Sequence, residues 1–184
     1  MAERFKGSGL KGVTIDPYGY GNVIIGENPR FEVGAIIGGQ PTLLRRGGEV
    51  IPALMGVEIG DDVWVGHNSL IMNGKERPTK LGHNVKIGPL SVIGHDSIVE
   101  DNARILSAGY IAGFVELGEG AVLGIGVTVR NRIKIGKGAL VGMGSVVVKD
   151  VPPYSVAYGN PCRVNRKKST ERWIRRKVNE LGLL

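Results

Sequence analysis

Cysteine is almost absent: Cys162 stands alone among 184 residues. That excludes an intrachain disulfide framework and a multi-cysteine zinc site. Aromatic residues make up only 5% of the chain, so any core must be packed from aliphatic side chains. Histidine occurs three times, at His67, His83 and His95. No apolar run approaches the ~18 residues that a membrane-spanning helix needs. The opening MAERFKGSGLKG has no apolar stretch behind its charges, which argues against a signal peptide. These absences set the expectation of a cytoplasmic protein without a membrane span.

What abounds is glycine, 30 residues, alongside 42% hydrophobic residues. Glycine without polar bias signals turns and close backbone approaches rather than disorder. The length suits one domain. The net charge of +7 is localised. Residues 163–177 hold eight Lys and Arg against one Glu, so residues 1–162 carry only +1 once Glu180 is counted. A near-neutral body therefore precedes a basic tail, with the boundary placed between 1–164 and 165–184. Such a tail suits nucleic acid, a membrane surface or a phosphorylated ligand. No helix-turn-helix pattern or aromatic–basic interleaving supports nucleic acid.

The repeat decides the fold. From Leu81 every sixth residue is Leu, Ile or Val through Ile87, Ile93, Val99, Ile105, Ile111, Leu117, Leu123, Val129, Ile135, Val141 and Val147. Glycine often follows the aliphatic, and a small residue often stands four places after it, as at Ser91, Ser97, Ala103 and Ala121. Period six is neither helical nor that of a plain strand. It fits a short strand followed by a sharp turn, with the aliphatic pointing inward and glycine or asparagine permitting the turn. Three such units close a triangular coil of 18 residues, stacked at about 4.8 Å. The expected fold is all-β, a parallel β-helix of hexapeptide type.

The frame extends upstream through Ile25, Phe31 and Ile37, then Ile59, Val65 and Ile71. The steps 37→59 and 71→81 exceed six by 16 and 4 residues. About six coils with two inserted loops result, both leaving from third-face strands and projecting from one corner. At that corner stand Gly39, Asn73, His95, Gly113, Asn131 and Lys149. Long loops on a rigid scaffold concentrate function, so His95 is the candidate general base. His67 and His83 fall on the other two corners, and no metal site is expected within one subunit. Residues 169–182 are expected to form an amphipathic helix, capped by Ser169 or Thr170, with Trp173, Ile174, Val178 and Leu181 as its apolar stripe.

The segments GHDSIVEDNARILSAGYIAGFVELGEGAVLG (94–124) and GKGALVGMGSVVVKDVPPYSVAYGNPCRV (136–164) resemble the left-handed parallel β-helix acyltransferases. Within that family the likeness is to lipid A-type UDP-N-acetylglucosamine acyltransferases and small sugar N- and O-acetyltransferases. The resemblance covers roughly residues 23–164 and implies a left-handed coil and a homotrimer with sites between subunits. It implies His95 as base, Asp96 as the group that orients the imidazole, and the Gly113 amide as oxyanion donor. The loop at 36–49 resembles the family's substrate loop, which places Thr42 and Arg45 with Asn73 on the acceptor side. There are departures. Phe114 stands where the family has a histidine after the oxyanion glycine, Val92 replaces another histidine, and Thr42 and Leu43 replace a glutamine–aspartate pair. A sugar or sugar nucleotide other than the lipid A acceptor is therefore expected.

The implied reaction moves an acyl group, with acetyl expected, from acyl-CoA to an amino or hydroxyl group. Acetyl-CoA or another acyl-CoA is a cosubstrate rather than a bound cofactor. Lys149, Arg163, Arg166 and Lys167 suit its phosphates, while Asn131 and Arg132 border the acyl channel. Acyl carrier protein, acidic and phosphopantetheinylated, suits the same basic tail as an alternative donor. Cys162 is expected to be structural. Two readings of other classes remain. A γ-type carbonic anhydrase needs two histidines five apart, which this chain lacks. A non-catalytic trimeric scaffold leaves the His95–Asp96 pair and the 40–58 loop without a purpose.

Overall fold

A computed structural model describes residues 11–17, 22–39 and 55–166, with Arg172, Arg176, Asn179 and Glu180 beyond them. Short parallel strands stack into three sheets of six, eight and seven strands, one for each face of a prism. Within the regular region the register advances by one coil per strand: Val92 pairs with Tyr110, Tyr110 with Thr128, and Thr128 with Val146. In six of the seven third-face strands the inward residue, Ile37, Ile71, Ile93, Ile111, Val129 or Val147, is fully buried. Burying an aliphatic side chain contributes roughly 1.5–3 kcal/mol, and these stacked columns form one continuous core.

The two insertions fall where the spacing places them. Ile37 pairs with Ile71 and Ile71 with Ile93, so each sheet continues across the extra residues. Two features escape the period. Thr14–Ile15 pairs with Ile36–Ile37 and adds a strand before the first expected coil. The final coil is shortened, because Ile135 pairs with Val151 and Val141 with Ala157.

Glycine has two tasks: Gly120, Gly126, Gly138 and Gly144 take the left-handed turn position, as expected, and other glycines do something else. The glycine after each aliphatic does not make the turn. A Cβ at Gly94 would lie 2.6 Å from the carbonyl carbon of Ala112, and one at Gly118 would lie 2.5 Å from the Lys137 nitrogen. These glycines admit the next coil. The left-handed turn residue comes two places later, and at the third-face corner it is Asp96, Phe114 or Arg132, all with φ near +60°. The small buried residues are also more than spacers. Ser91 Oγ accepts the Gly109 N–H at 3.2 Å, and Ser97 Oγ accepts the Val115 N–H at 3.2 Å.

Arg163–Arg166 forms a last strand antiparallel to Val156–Tyr158, crossing the boundary drawn at residue 164. The described residues of the basic segment beyond it are helical, with Arg176 Nε 3.3 Å from Glu180 Oε1. The rest of the expected helix over 169–182, including its apolar stripe, lies outside the described residues. So do Thr42, Arg45 and Lys167.

Candidate active site

His95 and Asp96 occupy consecutive positions at the third-face corner. The tight turn puts Asp96 in the left-handed region at φ 60°, a conformation aspartate tolerates better than most side chains. Asp96 is fully buried, whereas the His95 side chain keeps 16% of its surface exposed. His95 Nδ1 lies 2.6 Å from Asp96 Oδ2. The other carboxylate oxygen, Oδ1, accepts three consecutive backbone N–H groups, from Lys75 at 3.0 Å, Glu76 at 2.7 Å and Arg77 at 2.9 Å. All three come from the small insertion.

Burial alone would raise the Asp96 carboxyl. The N–H of Arg77, the His95 ring and the N–H groups of Glu76 and Lys75 outweigh it and hold the group below the ordinary aspartate value. An ionised carboxylate only accepts hydrogen bonds. Nδ1 is therefore the donor in the 2.6 Å bond to Asp96 Oδ2. A depressed folded value means the carboxylate's contribution to stability is complete above the ordinary value of 3.8. It is lost as pH falls through the lower folded value. The urea midpoint gap between the parent and Asp96→Asn should thus be widest near about pH 7 and shrink below about pH 4. A gap unchanged between those conditions would contradict an ionised Asp96.

Gly113 stands one coil on and faces the imidazole. A Cβ there would lie 2.6 Å from His95 Cε1 and 2.7 Å from Nε2, so only glycine leaves the ring in place. Among the described residues, no hydrogen-bond partner takes the Gly113 N–H. Phe114 meets His95 edge-on, with ring centroids 5.3 Å apart and planes at 88°. Arg132 caps the Phe114 ring, its guanidinium carbon 4.2 Å from the centroid. The result is a half-buried imidazole tied to a buried carboxylate, an amide beside it with no partner among the described residues, and one wall formed by the Phe114 ring.

No family model matches the chain. The UDP-N-acetylglucosamine O-acyltransferase of Nautilia profundicola, named as acting with acyl-[acyl-carrier-protein], is 32% identical over 143 residues, covering 76% of this chain and 54% of that protein. The UDP-3-O-acylglucosamine N-acyltransferase of Methylorubrum populi is 32% identical over 145 residues, covering 77% of this chain and 41% of that protein. The crystal structure of UDP-N-acetylglucosamine O-acyltransferase from Moraxella catarrhalis superposes with a TM-score of 0.72 at 27% identity, covering 85% of this chain and 60% of that one. The chain is a relative of the hexapeptide-repeat acyltransferases. Its fold is the left-handed parallel β-helix. The chain spans about half the length of the curated relatives it matches.

Of the residues singled out by sequence in this hexapeptide-repeat relative, the structure brings together His95, Asp96, Gly113 and Asn73. Asn73 is buried. Its Nδ2 donates to Gly38 O at 2.7 Å, and its Oδ1 is unpartnered. Asn131, Arg132 and Lys149 share the His95 corner on later coils and are exposed. Arg163 and Arg166 lie elsewhere, on the strand that closes the second-face sheet. His83 accepts the Asp61 N–H at its own corner, and His67 sits 3.8 Å from Glu32 at another. Among the described residues, no group of three or more His, Cys, Asp and Glu is arranged to hold a metal. Among the described residues, no helix is long and apolar enough to cross a membrane. Burial pushes the Cys162 thiol up, against weaker opposing effects of Ser145 and Arg163, as suits a packed side chain rather than a nucleophile.

Sequence reasoning missed Thr79 and Arg77. Thr79 Oγ1 accepts the Asp96 N–H at 2.9 Å, and Arg77 Nε donates to Asp96 O at 2.8 Å. Neither belongs to a motif. Both lie in or beside the insertion, where the period that guides the rest of the chain is interrupted.

Proposed function

We propose that the protein transfers an acyl group from a thioester to an amino or hydroxyl group of a sugar or sugar nucleotide. The observation that carries this reading is the His95 ring held between Asp96 and the Gly113 backbone, with Nε2 free. Nε2 takes the proton of the acceptor O–H or N–H as its oxygen or nitrogen attacks the thioester carbon. The carbonyl oxygen becomes anionic and is met by the Gly113 N–H. The C–S bond then breaks, and the proton on Nε2 goes to the departing thiolate. Asp96 keeps Nδ1 protonated throughout, the role of an orienting carboxylate. The transfer is proposed to be direct, without a covalent acyl-enzyme, since the described residues of the corner include no activated serine or cysteine.

Acyl-CoA, with acetyl as its acyl group, is the proposed donor. The exposed cations Arg132 and Lys149 line the corner beyond Gly113 and suit its phosphates. Arg163 and Arg166 are proposed to reach the donor across a trimer interface, since their strand lies on another face of the same protomer, and Lys167, the next residue in sequence, is proposed to join them. Asn73, with Thr42 and Arg45, is proposed to serve the acceptor. The Nautilia relative is named for acyl-[acyl-carrier-protein] as its donor, so that donor belongs in the test. Acetyl-CoA, longer acyl-CoA and acyl-acyl-carrier-protein are offered against amino and hydroxyl sugar nucleotides, and free thiol is followed. Acceptor-dependent thiol release from acetyl-CoA is the expected result. Release from the carrier-protein thioester alone would replace the donor, and release from none would overturn the reading.

A further inference from the structure

The acyl-transfer reading uses His95, Asp96 and Gly113 and leaves the small insertion without a task. Its contacts supply one. Three successive N–H groups converge on one oxygen of Asp96, a backbone nest of the kind that binds anions. The nest is closed from both ends. Thr79, fully buried, takes the Asp96 N–H, and Arg77 Nε reaches around to the Asp96 carbonyl. Arg77 is itself tied down, with Nη1 3.7 Å from Glu116 Oε1 on the neighbouring sheet. Glu116 in turn meets Lys134 at 2.8 Å. The far side of the insertion rests on Gly56, whose carbonyl accepts from both Gly74 and Thr79.

We propose that Arg77 is a positioning residue for the general base: by bridging the Asp96 carbonyl to Glu116 it keeps the insertion closed on Asp96, and so fixes the tautomer and aim of His95. The fork of the guanidinium suits this task because one side chain reaches a carbonyl and a carboxylate together. A lysine has a single nitrogen and cannot hold both in the same geometry. Arg77 is part-exposed and outside the core, so its removal leaves the coil stack intact.

The test has two arms, and only the second rests on the acyl-transfer reading. In the first, proton NMR of the free protein with ¹⁵N-labelled histidine follows the His95 Nδ1–H, which the 2.6 Å bond to Asp96 protects and moves to low field. Arg77→Ala and Arg77→Lys should both lose or broaden this resonance, while Lys75→Ala, whose backbone N–H remains, should keep it. In the second, kcat should fall about 10²-fold in both Arg77 variants, the scale of a small misplacement of a reacting group, with KM for the donor little changed. A resonance retained in Arg77→Ala overturns the proposal, whether or not turnover survives. Loss of the resonance with parental turnover overturns it too, because the base would then not need fixing. If no donor turns over in the parent, the acyl-transfer reading fails and the first arm still decides the role of Arg77.

Discussion

Replacing His95 by alanine should lower turnover by about 10²–10⁴-fold, the usual contribution of a positioned general base, in a protein that keeps its β-helix. The side chain is at a corner and takes no part in the aliphatic core. The backbone bond from Phe114 N–H to His95 O, 2.9 Å long, does not depend on the imidazole. The loss falls on Asp96, whose Oδ2 is left without its partner inside a buried nest. An unpaired buried acceptor costs about 1–3 kcal/mol, so the variant should melt earlier yet cooperatively. Thiol release under saturating substrates, beside circular dichroism and thermal melts, reads both effects. His67→Ala and His83→Ala serve as controls, since each lies on a different corner. Parental turnover in a folded His95→Ala would remove this residue from the mechanism.

An equally large loss is expected from adding a single methyl group, in Gly113→Ala. The new Cβ would sit 2.6 Å from His95 Cε1 and 3.0 Å from Nδ1. Contacts this short cannot persist, so the ring must turn. It has little room, since Phe114 meets it edge-on and Asp96 holds Nδ1. Turning the ring breaks the 2.6 Å bond, and the same methyl crowds the free amide beside it. Gly113 does not need the left-handed region, because the residue with positive φ at this corner is Phe114. Alanine therefore suits the backbone, and stability should change by less than about 1 kcal/mol beyond the cost of the displaced ring. Turnover lower by about 10²-fold or more, with a cooperative melt lowered no further than that of His95→Ala, is the expected outcome. A variant with parental kcat would show that the glycine is needed for neither the ring nor the oxyanion. Gly94→Ala, one coil earlier, should instead unfold the region, because its Cβ meets backbone at 2.6 Å rather than a side chain.

Phe114 marks a further difference between sequence pattern and structure. In the resemblance it is a departure, an aromatic ring in place of a histidine. In the structure it is strained at φ 60°, edge-on to His95 and capped by Arg132. A left-handed conformation costs a side chain of this kind about 1–2 kcal/mol. The ring and the cation above it hold the wall of the site in place of a second titratable group.

The coil, its three faces and the corner that carries His95 were legible in the chain's residue pattern. Those follow from a hydrophobic period of six, because each inward aliphatic must meet its copies 18 residues away in an identical setting. Insertions of 16 and 4 residues leave that rule intact on either side, so their exit point was also legible. The coil shortened by two at Val151 and Ala157 was not, since Pro152 and Pro153 interrupt the pattern there. How His95 is held came from the folded contacts alone. The three donors to Asp96 are main-chain N–H groups, which any residue at 75, 76 and 77 would present, so no side-chain pattern announces them. Arg77 and Glu116 meet from strands and loops 39 residues apart in sequence. Such a contact depends on where an irregular loop folds back, and that is set by packing against Gly56 and Asp96 rather than by local periodicity.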